Sequence, residues 1–367
     1  MSLRREIAEQ IATEGPITVE RYMGLALSHP KHGYYRSRDP FGLEGDFITA
    51  PEISQMFGEL IGLWAVDCWA RMGEPERLAL VELGPGRGTL MADALRAARL
   101  APRFLEAARI HLVETSEILR ARQSETVGRA NTTHGPISWH ESFAQTPEGP
   151  LILIANEFFD ALPIRQYLRD TQGWRERLIG LDDEGSLSFG LSGETVAELR
   201  LAAPQGSVLE IGSAGMALSH EIAARLVAFG GAALIIDYGH TQQGFGDTLQ
   251  AVRRHEFVDP LEAPGETDLT ANVDFTSLGN AAMKEGALRH GPVTQRQFLR
   301  ELGIEARAGS LKQKASEAQA ASIDSALVRL IGDGPGAMGV LFKAMALSSP
   351  TLTGLAGFGS LTESEPL

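Results

Sequence analysis

Short apolar runs that alternate with helical segments constrain this chain more than any other feature. The run ALVELGPG ends in glycines and passes into TLMADALRAARL, whose apolar residues recur at helical spacing. RIHLVETS then reads as a strand, SEILRARQSETVG as a helix, and ISWHES and LILIANEFFD as two further strands. GGAALIIDYG supplies another strand over 232–238, after the helix GMALSHEIAARLVAFG. Strands and helices joined by short connections predict an α/β fold with a mostly parallel, doubly wound sheet. The segment GAMGVLFKAMALS predicts a last, antiparallel edge strand.

Two stretches break the alternation. Residues 165–191 alternate apolar and polar around turns at Thr171–Gly173 and Asp182–Gly185, which predicts β-hairpins inserted into the parallel sheet. From Gly239 to about Arg307 runs a second insertion with two helical segments, FTSLGNAAMKEG and TQRQFLRELG; a further helix is expected over 310–331. Ahead of the sheet, MSLRREIAEQIATEG predicts an amphipathic helix with Ile7 and Ile11 on one face. It has no continuous apolar region, so it is not read as a signal peptide. SHPKHGYYRSRDPFGLEGDFITAPEIS, rich in Gly, Pro and Asp but studded with aromatics, reads as an ordered loop arm. Pro51 opens one helix that runs to Gly73, with Thr49 as its candidate cap.

Composition sets the outer limits. The chain has 367 residues, 43% hydrophobic and 22% charged, enough for a large core. Its net charge of −14 argues against a nucleic-acid partner and for a basic partner or small ligands. Cys68 is the single cysteine, so no internal disulfide forms and no cysteine zinc site is expected. No HxH or HxxxH spacing supports a metal, and none is expected. No run of 18 apolar residues suggests membrane insertion.

VELGPGRGTL carries the sharpest chemical signal. Gly84, Gly86 and Gly88 form a GxGxG at a strand-to-helix junction, where the backbone must turn tightly and admit a ligand closely. Thr89 stands where a dinucleotide motif needs its third glycine, and no Lys-Ser/Thr makes a P-loop. Glu82, two residues before the first glycine, suits the sulfonium and ammonium of S-adenosylmethionine better than a phosphate. Glu114, at the tip of the next strand, is then the expected acceptor for two ribose hydroxyls. The structural alternative is a tight turn followed by a solvated strand-end acid. After the third strand, His140 and Phe143 fall where an adenine would lie; Trp139 and Phe143 either stack on the base or belong to the core.

LILIANEFFDALP delivers Asn156, Glu157 and Asp160 to the carboxyl end of an apolar strand, the edge where open sheets bind ligands. Carboxylates beside a methyl donor suit a guanidinium, held by charge-assisted hydrogen bonds. Asn156 and Asp160 also fit simple turn caps, and of Phe158 and Phe159 at least one is expected in the core. His240, after the strand at 232–238, either orients a carboxylate, acts as a base or does neither. Asp259 before Pro260 reads as a turn residue, Asp268 and Thr270 are candidates to reach the cleft, and Asp274 fits a helix cap.

With GYY (33–35), GDFITAPEISQMFGE (45–59), VELGPGRGTL (81–90), ANEFFDALP (155–163), DYGH (237–240) and PGETDLTANVDF (264–275) in place, the chain resembles the MidA family. Mitochondrial members of that family are protein arginine methyltransferases that assist assembly of respiratory complex I. The resemblance implies a Rossmann-like class I methyltransferase fold with S-adenosyl-L-methionine as cofactor. It implies that Gly84, Gly86 and Gly88 contact the cofactor, that Glu114 holds the ribose, and that Asn156, Glu157 and Asp160 form the strand-end motif. It also makes Asp46 and Thr49 candidate cofactor contacts. Asn272 departs from the pattern, which has His there, so no general base is carried over to that position.

The expected organisation is a helical and loop arm over 1–75 that closes over the cofactor, a core over 76–350 with insertions at about 165–207 and 240–307, and a tail over 351–367. The expected function is arginine N-methylation of a protein, namely a subunit of NADH dehydrogenase, with Glu157 and Asp160 or His240 holding the guanidinium. A cofactor-binding chaperone without catalysis and a small-molecule methyltransferase remain as alternatives; so does assembly as a homodimer. With no mitochondrial presequence in view, a bacterial cytoplasmic setting is expected.

Overall fold

The computed structural model describes residues 2–37, 49–133, 135–242 and 244–359. Its contacts divide the chain into two units. One, the sheet unit, comprises Ile48–Phe158, Ser219–Gly239 and Gly279–Leu367; the other, the insertion unit, comprises Met1–Phe47, Phe159–Leu218 and His240–Leu278. Among the described residues no helix is long and apolar enough to cross a membrane.

The sheet unit is built on strands whose side chains are buried on both faces. Leu78–Leu83 and Leu151–Asn156 are buried at every position, as a parallel sheet covered on both sides requires. The strands lie in the order Leu288–Thr294, Phe342–Ser348, Gly231–His240, Leu151–Asn156, Leu78–Leu83, Ala108–Val113, Ser138–His140. The last five named are mutually parallel. Phe342–Ser348 runs antiparallel to Gly231–His240, as the sequence predicts, yet it is not the edge. Leu288–Thr294, inside the stretch read as insertion, pairs along its outer side. Gly291 and Pro292 interrupt the apolar pattern there, and the register shifts between His290 and Val293, so the strand has no signature in the sequence.

The helix opened by Pro51 is two helices, Ala50–Ile53 and Gln55–Arg71. Ser54 is extended between them, and its hydroxyl accepts from Met56 N to cap the longer one. Residues 310–331 likewise split, into Ile304–Lys312 and Glu317–Ile331, because Ser316 and Gln319 form a capping box. Gln55–Arg71 packs on Thr89–Ala98 at backbone contact: a Cβ on Gly62 would lie 2.5 Å from Ala94 Cα. Beside this seam the buried Glu59 carboxylate receives Arg96 at 3.1 Å and Arg307 at 2.8 Å. This packing places residues 49–75 with the sheet unit.

The insertion unit has its own core. Leu3, Ile7 and Ile11 of the helix Leu3–Glu14 are buried against Tyr22, Ile164 and Ile179. The hairpins do not join the parallel sheet. They form a separate antiparallel one, ordered Ile17–Thr18, Trp174–Leu181, Arg165–Arg169, Val208–Ile211, with Leu187–Leu191 also on Trp174–Leu181. Both turns sit where the sequence predicts. Asp170 Oδ1 accepts from the amides of Gln172 and Gly173, and Asp182 Oδ1 from those of Glu184 and Ser186.

The helix seam yields a direct expectation. Gly62→Ala must displace the Ala94 backbone, so it is expected to cost about 2–3 kcal/mol, read as a lowered urea midpoint. An unchanged midpoint would contradict the close approach.

Candidate active site

The strand Leu78–Leu83 leaves the sheet through Gly84 and enters the helix Thr89–Ala98 through Gly88. Gly84 has φ 58° and Gly88 φ 81°, the left-handed region where a side chain is disfavoured. Space excludes one as well. A Cβ on Gly84 would lie 2.8 Å from the Phe158 ring, and on Gly88 2.7 Å from Val127 Cγ2. Gly86, also at positive φ, turns its carbonyl to Gln123 Nε2 at 2.8 Å. Thr89, which breaks the dinucleotide pattern, donates its hydroxyl to Glu52 Oε1 at 2.6 Å and so ties the helix start to Ala50–Ile53.

Gln123 is the residue that sequence reasoning missed. It lies inside the helix Glu117–Ala130 and is fully buried. Its amide nitrogen bonds both Gly86 O and Glu114 Oε2, the latter at 3.1 Å, and its oxygen accepts from Trp139 Nε1 at 2.9 Å. One side chain thus joins the glycine turn, the strand-tip acid and the third strand. Glu114 is buried and also accepts from Ser116 N at 2.8 Å. Burial raises its pKa above the ordinary carboxylate range, against the lowering by the Ser116 and Gln123 hydrogen bonds. Each oxygen still has a lone pair beyond the bond it receives.

Glu82 and Asn156 share one face of the sheet. Glu82 pairs with Ile154 across parallel strands, and Ile154 and Asn156 alternate onto the same side. Both are buried, and neither Glu82 Oε2 nor Asn156 Oδ1 has a hydrogen-bond partner among the described residues. Two orphaned acceptors at the strand ends beside the glycine turn call for a ligand that brings donors and positive charge. A phosphate would be repelled. The residues therefore fit a sulfonium nucleoside that carries an ammonium group.

Next to Asn156, Glu157 adopts φ 51° although it is not glycine. Its amide donates to Ile236 O at 2.9 Å, and its carboxylate accepts from Ala50 N at 3.1 Å and Asn156 Nδ2 at 3.2 Å. Phe158 then lies over Gly84 while its amide donates to Asp237 Oδ2 at 3.2 Å. Backbone strain of this kind persists where neighbours over-determine it, and it clusters at functional sites. Phe159 is buried, as expected for one of the two.

The other candidates fall as follows. Thr49 occupies the cap position of Ala50–Ile53, but its side chain makes no capping bond; the Glu157 carboxylate takes the Ala50 amide instead. Asp46 lies outside the described residues. His140 stands at the tip of its strand with Nε2 3.0 Å from His111 Nδ1, and burial lowers the pKa of both rings. The Phe143 ring does not project as a free stacking face: it is buried, with the Arg225 guanidinium 4.4 Å over it. Asp160 and His240 belong to the insertion unit. Asp160 is buried, and its charge, with that of Asp268, bears on the Tyr35 hydroxyl, which donates to Asp268 Oδ1 at 2.7 Å. His240 Nδ1 is 2.8 Å from Gln242 O and 4.0 Å from Asp274 Oδ1. Asp274 caps its helix as expected, through Ser277 N and Oγ.

Comparison with known proteins agrees with this geometry. Residues 60–293 match the model of a family described as "Putative S-adenosyl-L-methionine-dependent methyltransferase". The chain is 41% identical to the mitochondrial protein arginine methyltransferase NDUFAF7 of Danio rerio, over 83% of this chain and 78% of that protein. It is 38% identical to the Homo sapiens protein of the same name, over 85% and 76% respectively. A crystal structure from Burkholderia thailandensis bound to S-adenosyl-homocysteine superposes with a TM-score of 0.84 at 30% identity, covering 97% of this chain and 93% of that one.

The buried strand-end acid makes the fold pH-sensitive. Burial alone raises the Glu82 carboxyl from 4.5 to about 8. Between those values the unfolded chain binds fewer protons than the folded one, so stability falls as pH rises through the window and levels off above it. Glu82→Gln removes this loss. From about pH 5 to about pH 8.5, the ligand-free parent is expected to lose on the order of 4 kcal/mol more than the variant. Denaturant titrations at both pH values check this; parallel losses would show that Glu82 does not titrate in the fold.

Proposed function

We infer the reaction from one premise: the chain belongs to the S-adenosyl-L-methionine-dependent methyltransferase family whose model matches residues 60–293. Its cofactor is S-adenosyl-L-methionine, which supplies an electrophilic methyl group when bound. We propose that the methyl acceptor is an arginine side chain of a protein, the quinone-side subunit of NADH dehydrogenase during assembly of complex I. The curated relatives named as protein arginine methyltransferases support the acceptor class.

In this reading Gly84, Gly86 and Gly88 let the backbone approach the cofactor, Glu114 accepts from the ribose hydroxyls, and Glu82 with Asn156 faces its positive end. The observation that carries the acceptor assignment is Glu157. It is held at a left-handed φ, its carboxylate is fixed by Ala50 N and Asn156 Nδ2, and the next residue covers the glycine turn. A carboxylate fixed in this way accepts the N–H groups of a guanidinium, orients one nitrogen for attack, and takes up the proton that nitrogen loses. Asp160 and His240 are proposed as further catalytic candidates, each to be tested alone. The relatives that name a compartment name the mitochondrion; a cytoplasmic setting belongs to this proposal.

Glu157→Gln keeps the shape and the hydrogen bonds but removes the charge. Methyl transfer to the acceptor, read by mass spectrometry, is expected to fall about 100- to 10,000-fold, while calorimetry finds cofactor affinity within about threefold. Methylation that survives the substitution would remove Glu157 from the chemistry. An acceptor left unmethylated even by the parent protein, with cofactor bound, would favour a chaperone.

A further inference from the structure

The insertion unit holds a cavity whose lining shares only His240 with the residues proposed above for cofactor and acceptor. Its volume is about 550 Å³, within the range of ligand-binding clefts, and every lining residue comes from the insertion unit. Leu162, Leu209, Met216, Phe245 and Leu278 supply apolar walls. Glu210, His240 and Asp274 also face it, and no Lys or Arg lines it among the described residues.

The two carboxylates are fixed by their own partners. Glu210 accepts from Thr248 N at 2.9 Å and Gln166 Nε2 at 2.7 Å. Asp274 accepts from Ser277. Each carboxylate has about four acceptor positions, so both can take a further donor without giving up these bonds. At the mouth, Leu201 and Phe245 are each 43% exposed. Apolar surface that continues from a cavity onto its rim fits a ligand larger than the cavity. A small molecule that filled the hollow would leave that rim in water.

We propose that this cavity docks the methyl-accepting protein through an extended segment that places one large apolar side chain inside and a basic side chain against Glu210 or Asp274. The occupant follows from charge complementarity. Among the described residues the walls carry carboxylates and no Lys or Arg, in a chain of net charge −14. The proposal rests on the reading that the acceptor is a protein, and it adds where and by what chemistry that protein is selected.

The test is a positional-scanning library of decapeptides, each with one fixed arginine, incubated with the full chain and S-adenosyl-homocysteine. The parent is expected to retain peptides with Leu, Ile, Met or Phe at a set distance from a basic residue. Leu201→Arg places a cation at the mouth, and its backbone carbonyl still accepts from Trp174 Nε1. It is expected to weaken retention about tenfold or more, the effect of losing one buried apolar side chain. Met216→Trp fills the cavity from the opposite chemistry and is expected to do the same. Cofactor affinity, measured by calorimetry, stays at the parent value in both, and parent-like near-ultraviolet circular dichroism and urea midpoint report that the insertion unit is folded in the variants. A flat selection by the parent, no retention at all, or unchanged retention in both variants overturns the proposal. Mass spectrometry of a parallel library with S-adenosyl-L-methionine separates the two readings. Retention without arginine methylation leaves the cavity standing and removes the acceptor assignment; methylation with flat retention does the reverse.

Discussion

The sheet unit depends on a backbone turn with no room for side chains. Leu78–Leu83 must reverse into Thr89–Ala98 through Gly84 and Gly88, and each glycine is pressed by a neighbour where a Cβ would stand. Phe158 closes on one and Val127 on the other, so the turn is fixed by packing from the strand-end motif and from the next helix. Left-handed φ alone would permit many loops; contact on both flanks selects one. Gln123 then reaches from the same helix as Val127 to Gly86 O and Glu114. Glu114 and the glycine turn are therefore held by one helix, and their spacing cannot drift independently.

Buried acids in this unit are treated in two ways. Glu59 is fully answered by Arg96 and Arg307, and it serves the seam between helices. Glu82, slightly more buried, has an oxygen with no partner among the described residues and a carboxyl pushed up to about 8 by burial. Each unpaired buried acceptor costs about 1–3 kcal/mol. The cost is offset when a cationic ligand arrives, because the ligand supplies the missing donors and favours the ionised acid. A satisfied network such as that of Glu59 would gain nothing from a ligand.

Much of this was legible in the amino-acid sequence, for physical reasons. The glycine spacing, Glu82, Glu114 and the strand-end Asn156–Glu157 sit at the carboxyl ends of apolar runs, and strand ends are marked by composition. Both hairpin turns carry an aspartate that binds the amides ahead of it, a purely local signal. What escaped notice depends on tertiary contact. Gln123 looks like any polar residue in a helix, and only the fold shows that it is fully buried between three elements. Phe143 could be read as a stacking ring because Arg225, which covers it, lies 82 residues later in the chain. The edge strand Leu288–Thr294 was hidden by its own Gly-Pro, and the break at Ser54 by the good helix formers on either side.

Each unit has its own buried core. The buried cluster of the sheet unit draws only on its own segments, among them Leu80, Ile154, Leu234 and Ala344. The insertion unit packs around Ile7, Tyr22, Ile164 and Ile179, and its hairpins close on themselves as a separate sheet. Cofactor chemistry needs fixed geometry, whereas recognition of a partner protein needs surfaces that can vary. In the proposed reading the sheet unit carries the first and the cavity of the insertion unit the second, each on its own core.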